Sequence, residues 1–342
     1  MNINRTLRSI KDKYGAKVAR EFALAIANVR SSVVLNQFIA AIEAGNIELA
    51  ISVLDIDDAV FATVRSTISE AYSAGGSAVA ASTSFTAPRV SGGSLRWDVS
   101  NPVAENYLRT MLSDEITKIT TATREGVRVA LANGYAQGQG PRQIALDIVG
   151  RVGANGVRSG GLVGLNAQQV QYVANMRSYL ESGDYRAALR MGKRNRQFDR
   201  TLERLMRDGG SLSRDQIERM VTGYSNKLLK LRGDTIARLE TASAVEQSNM
   251  DAFRMGMQKN NYPSEYVLKE WIHGGGGLKP REDHIAKDRT VVAGIDTPFV
   301  MGDGALLSRP HDPNAPAKHV INCTCTMQMR MDWAGLKRDG YV

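Results

Sequence analysis

Cys323 and Cys325 stand two residues apart in Ile321-Asn322-Cys323-Thr324-Cys325-Thr326-Met327, and they are the chain's two cysteines. On an extended strand alternate side chains share a face, so both thiols would point the same way and could share a soft metal ion with His284 or His319. A structural zinc on His284, Cys323 and Cys325 is one reading of this pattern. The other is a pair of small buried hydrophobes. A disulfide between positions i and i+2 sits at the far limit of allowed geometry. Two cysteines in 342 residues exclude a disulfide-stapled secreted scaffold and suit a reducing compartment. Nearby, Arg281-Glu282-Asp283-His284, with Asp288 and Arg289 just after, offers an acid, a base and a charge clamp. Adjacency in sequence does not make a catalytic site, and a hydrogen-bonded loop needs the same residues.

Other catalytic patterns are incomplete. His273-Gly274-Gly275-Gly276-Gly277 imitates an oxyanion-hole loop, but the Gly-x-Ser-x-Gly turn of its nucleophile is missing, which makes an ordinary loop the expectation. Gly134, Gly138 and Gly140 do not complete a dinucleotide fingerprint, and no glycine cluster continues into Gly-Lys-Ser/Thr. No enzyme activity is expected.

The elements that must position these residues follow from length and patterning. The chain has 342 residues, 43% apolar and 23% charged, which suits two or three folded units. No run of about 18 uncharged apolar residues occurs, so no membrane span is expected. The basic start mixes in Asp12 and Glu21 and lacks a signal peptide's apolar core, so it reads as part of the mature protein.

The fold class expected is α+β: mostly helical N-terminal and central regions with a basic helical arm, then a small C-terminal α+β domain. Residues 1–72 read as a helical unit from the spacing of Phe22, Ile26, Val29, Val34, Phe38 and Ile42, with Gly45-Asn46 ending one helix. Residues 73–96, rich in Gly, Ala and Ser, read as a linker or extended arm. A central helical region, 97–185, opens at Asn101-Pro102, restarts at Pro141, passes a loop with six glycines over 150–165, and holds a helix from Asn166 to Ser182. Residues 239–342 read as the α+β domain, with strands at Tyr266–Ile272, Thr290–Val292 and Val320–Arg330. All four histidines lie there.

The net charge of +9 is concentrated. Residues 186–238 hold 14 Lys or Arg against 6 Asp or Glu, which leaves +1 for the rest of the chain. This segment reads as helices interrupted at Gly209-Gly210, with Ser211 or Ser213 as the next N-cap. Long charged helices usually face water. The alternative is an electrostatic arm against duplex phosphates or an acidic protein surface, through Arg190, Lys193, Arg194, Arg196, Arg200, Arg204 and Arg207. Phe198 and Tyr224 stand too far apart to stack single-stranded bases.

Over residues 97–330 the order of several phrases resembles the Mu F-like head morphogenesis family, minor head or minor capsid proteins of tailed bacteriophages. The phrases are Lys269-Glu270-Trp271, Arg281 to His284, Gly294-Ile295-Asp296 to Phe299, Asp312-Pro313, and Ile321-Asn322-Cys323-Thr324-Cys325. Upstream, Trp97 to Pro102, Gly164-Leu165 with Gln168 to Arg177, Arg196 to Arg200, and Ile236 to Thr241 also match in order. Thr324 stands where the family commonly has Arg, and Leu239 where it has Thr. The resemblance implies a structural protein of the virion head near the portal vertex, supporting head assembly and DNA packaging or delivery, and passing through the host cytoplasm during assembly. Portal protein would be its main partner, with major capsid or scaffold protein and double-stranded DNA as others. It implies neither a small-molecule substrate nor a membrane. Alternatives are a basic DNA-binding virion protein that guides the genome or is ejected with it, and a metal-dependent effector enzyme. The 17 residues after Cys325 are too few for an appended effector domain.

Overall fold

The computed structural model describes residues 3–86, 95–153, 156–275 and 280–342. Helices dominate, joined by small antiparallel sheets gathered mostly near the C-terminus, as the α+β reading requires. The first half is built from α1 (Ile3–Ser32), α2 (Leu35–Glu43), α3 (Ile47–Val53), α4 (Ala62–Ser82), α5 (Pro102–Asn106), α6 (Leu112–Ala136) and α7 (Pro141–Val149). A short hairpin follows, β1 (Arg151–Val152) and β2 (Arg158–Ser159), then α8 (Ala167–Glu181), α9 (Tyr185–Arg190), α10 (Asp199–Asp208) and the long α11 (Arg214–Asn260). The last segment holds β3 (Val267–Ile272), α12 (Glu282–Ala286), β4 (Val291–Ala293), β5 (Phe299–Val300), β6 (Leu306–Leu307), α13 (Ala317–Val320), β7 (Thr326–Met331) and α14 (Trp333–Arg338). Among the described residues no single helix is long and apolar enough to cross a membrane.

Local chemistry explains several boundaries. Gly45 takes φ +67° after α2, and the Asn46 side chain accepts from Leu49 N at 3.0 Å to cap α3. Asn101 caps α5 with Pro102 in the first turn, and Pro141 opens α7. Asn166 and Gln169 form a reciprocal capping box on α8. Of the two serines after Gly209-Gly210, Ser213 is the cap: its Oγ accepts from Gln216 N at 3.3 Å, and its N–H donates to Gln216 Oε1 at 2.8 Å.

The linker reading of 73–96 fails over its first ten residues, which continue α4 to Ser82. Their small side chains serve close packing. A Cβ on Gly75 would meet Ser248 Oγ at 2.3 Å, and one on Gly76 would meet the Trp97 ring at 2.4 Å. Residues 87–94 of that stretch lie outside the described residues. The boundary expected at 238/239 falls inside α11, which runs unbroken for 47 residues through Gly223 and Gly233.

The chain forms two compact units. The first combines Met1–Ala19, Val64–Asp114 and Asp234–Val342; the second combines Arg20–Thr63 and Glu115–Gly233. The five consecutive segments expected from composition are therefore not the folded units, and the basic segment up to Gly233 belongs to the second unit rather than forming a separate arm. That unit's core includes Phe22 stacked on Phe61, with ring centroids 5.8 Å apart. Two buried arginines hold its glycine loop. Arg30 donates to Gly161 O and Val163 O at 2.8 and 2.6 Å, and Arg232 donates to Gly164 O at 2.8 Å and Thr123 Oγ1 at 3.0 Å.

In the first unit, the antiparallel sheet has the order β4-β3-β7, with Lys269 opposite Met329 and Trp271 opposite Met327. Val267, Lys269 and Trp271 occupy the buried face of β3 by the two-residue alternation of a strand. Trp271 and Phe299 meet edge to face at 5.2 Å in this core, and Phe85 and Phe253 at 5.1 Å.

Candidate functional site

The cysteine phrase does not lie on a strand. Asn322 takes a left-handed φ of +57° in a turn closed by Cys323 N–H donating to Val320 O at 3.1 Å, and Cys323 to Cys325 then run as irregular backbone into β7. The turn still brings both thiols to one place. α12 supplies His284, whose Nδ1 lies 3.6 Å from Cys323 Sγ and 3.5 Å from Cys325 Sγ. All three residues are buried. The Cys325 backbone N–H donates to Cys323 Sγ at 3.4 Å. The Cys323 thiol titrates below its ordinary range because Cys325 donates to it. Cys325 is held above its range by the neighbouring sulfur and by burial.

Behind His284 runs a chain of imidazole and carboxylate. His284 Nε2 lies 3.3 Å from His319 Nδ1, with the two rings within 8° of parallel, and His319 Nε2 lies 3.0 Å from Asp303 Oδ2. α13 supplies His319, and the β5–β6 connection supplies Asp303. Asp283 Oδ2 approaches His319 Nδ1 at 3.3 Å. Asp303 also pairs with Lys318, which holds its carboxyl well below the usual range. In the tautomer that carries the His284 proton on Nε2, toward His319 Nδ1, the His284 Nδ1 lone pair faces the sulfurs. The edge of Trp271 closes the site over His284, with ring centroids 5.4 Å apart.

The Arg281–His284 phrase joins this arrangement: Arg281 donates to Ile321 O, bracing the cysteine turn, and Asp283 faces His319. The His273 loop packs on the same turn. A Cβ on Gly274 would lie 2.1 Å from Thr324 O, while Gly276 and Gly277 lie outside the described residues. His311 escaped the sequence reading as a neighbour of this turn; it is buried, kept neutral by burial, and its Nε2 meets Cys325 O at 3.2 Å.

Lys269 is a second site residue that only the fold reveals. The strand register turns it into the core, where it is fully buried, donates to Ser308 O at 2.9 Å and lies 5.4 Å from the Phe299 ring centroid. Burial pushes its ammonium down to about 8, against the opposing pull of Asp296 and Asp312. Between about pH 8 and 10.5 the unfolded chain binds more protons at this residue than the folded one. Stability is therefore expected to rise through that window by about 3 kcal/mol from Lys269 alone. Lys269→Met should remove this increment; the check is the difference between the two proteins' denaturant midpoints across the window.

The seven basic residues singled out from sequence separate into two groups. Arg194 is committed internally, forking onto Asp199 at 2.9 and 2.8 Å. Arg190, Lys193, Arg196, Arg200, Arg204 and Arg207 are exposed. Arg200, Arg204 and Arg207 fall at i, i+4 and i+7 on α10, whose Leu202 is buried, and Arg196 sits in the turn just before it. Arg207 also pairs with Asp208 in an exposed contact of small energetic weight. The result is a basic helical face.

No known protein family matches this chain, and no solved structure does. It is similar to the uncharacterised protein YqbB of Bacillus subtilis (strain 168), at 36% identity over 66 residues. That match spans 19% of this chain and 21% of the relative.

Proposed function

We propose that this chain is a minor head protein of a tailed bacteriophage, bound near the portal vertex and supporting head assembly and DNA packaging or delivery. One observation carries the reading. The C-terminal phrases that resemble the Mu F-like family belong to one compact unit, and Trp271, His284, Phe299, Cys323 and Cys325 from those phrases pack together in it. An ordered set of weak sequence phrases gains weight when its members support a single core. Portal protein is the partner in this reading. The test is co-sedimentation of the full chain with portal oligomers and proheads, with recovery in both expected. Absence from proheads and virions alike would overturn it.

The basic face on α10 favours double-stranded DNA as a second ligand, because clustered exposed guanidinium groups bind phosphates by releasing counterions. Reversing Arg196, Arg200, Arg204 and Arg207 to Glu is expected to flatten the salt dependence of duplex binding, by about 1 in logarithmic slope for each arginine that had neutralised a phosphate. Portal co-sedimentation should persist. Loss of portal binding with unchanged DNA affinity would reassign the face to protein.

A further inference from the structure

We infer that His284, Cys323 and Cys325 bind one zinc ion, and that the ion is structural. The inference does not rest on the phage reading. In tetrahedral zinc sites with Zn–S near 2.3 Å and Zn–N near 2.0–2.1 Å, adjacent N and S donors stand about 3.6 Å apart. The two N–S separations here are 3.6 and 3.5 Å, and the three donor atoms lie mutually within 4.8 Å. Nothing in the packing of two small hydrophobes requires one imidazole nitrogen to face both sulfurs at that spacing.

The surroundings match what a metal needs from its outer shell. A ligating histidine usually donates its second N–H to an acceptor that fixes ring and tautomer, and His284 has that partner in His319, which Asp303 fixes in turn. Thiolates gain from backbone N–H donors, and Cys323 Sγ has one in the Cys325 N–H. Charge balances as well. Two thiolates and a neutral imidazole around a divalent cation sum to zero, which a buried site tolerates, and binding releases one proton from each thiol. Three protein donors leave one corner of the tetrahedron to a light-atom ligand. With all three residues buried, the site favours holding the cysteine turn against α12 over exposing a substrate position.

The experiment uses the full-length protein purified under reductant. Elemental analysis should find about one equivalent of zinc, and replacing it with cobalt should give the charge-transfer and ligand-field absorption of a tetrahedral two-thiolate site. Cys323→Ser, Cys325→Ser and His284→Ala should each lose the metal. Because those variants disturb a buried core, Asp303→Asn provides an independent arm: it leaves all three donors in place and should weaken zinc affinity about tenfold. Less than about a tenth of an equivalent of zinc, with no cobalt spectrum after reconstitution, would overturn the proposal. So would finding Cys323 and Cys325 joined as a disulfide in protein whose free thiols are alkylated at lysis, before any reductant is added.

Discussion

Glu246→Ala is expected to remove about 3–5 kcal/mol of folding stability, the scale for taking one partner from a buried charged pair. Glu246 is fully buried on α11 and accepts from three donors brought by two other elements: Lys11 from α1, and Thr326 Oγ1 and Met327 N from β7. Removing the carboxylate strands the Lys11 ammonium beside Thr326 and leaves a backbone N–H of β7 unpaired. A denaturation midpoint followed by circular dichroism measures the loss. The double variant Lys11→Met with Glu246→Leu removes both charges at similar volume. It should cost less than Glu246→Ala alone, which separates the penalty of an orphaned charge from the intrinsic value of the pair.

Trp271→Ala should cost about 3–5 kcal/mol as well, by a different physical route. Trp271 is the largest fully buried side chain, and its ring meets Phe299 at 5.2 Å and His284 at 5.4 Å, both edge to face. Truncation opens a cavity between the sheet and α12. Among the described residues its indole Nε1 has no hydrogen-bond partner, so Trp271→Phe forfeits volume without losing a bond shown there and should cost less than half as much as the alanine variant. Equal losses for the two variants would contradict a cavity origin. The zinc content of Trp271→Ala, measured beside its midpoint, reports whether the ring also holds His284 in place.

These effects sit at positions of unequal visibility in the sequence. Helix boundaries set by local chemistry, at Gly45-Asn46, Pro141 and Asn166, could be read directly, because caps and prolines act within a few residues. The extension of α4 through Gly75 and Gly76 could not. What makes a glycine rigid there is the approach of Ser248 and Trp97, remote in sequence, and composition alone assigns such a stretch to a linker. The same holds for Lys269. A lysine in a strand reads as solvent-facing until the register places it beside Met329 on the buried face. Of the candidate site, the residue types were legible and the geometry was not. Cys323 and Cys325 meet His284 through a left-handed turn at Asn322, not through strand alternation.

The first unit draws on Met1–Ala19 and on the strand Thr326–Met331, and the Asn4 side chain donates to Gln328 Oε1 at 3.2 Å across 324 positions of sequence. On a ribosome, α1 emerges long before its partners on β7 exist. Contacts of such sequence separation close late and slowly, because the entropy of a long loop must be overcome before any of them forms. The Leu7 and Lys11 side chains are therefore born without the surfaces that bury them, and the unit completes its core only after synthesis has passed the final strand.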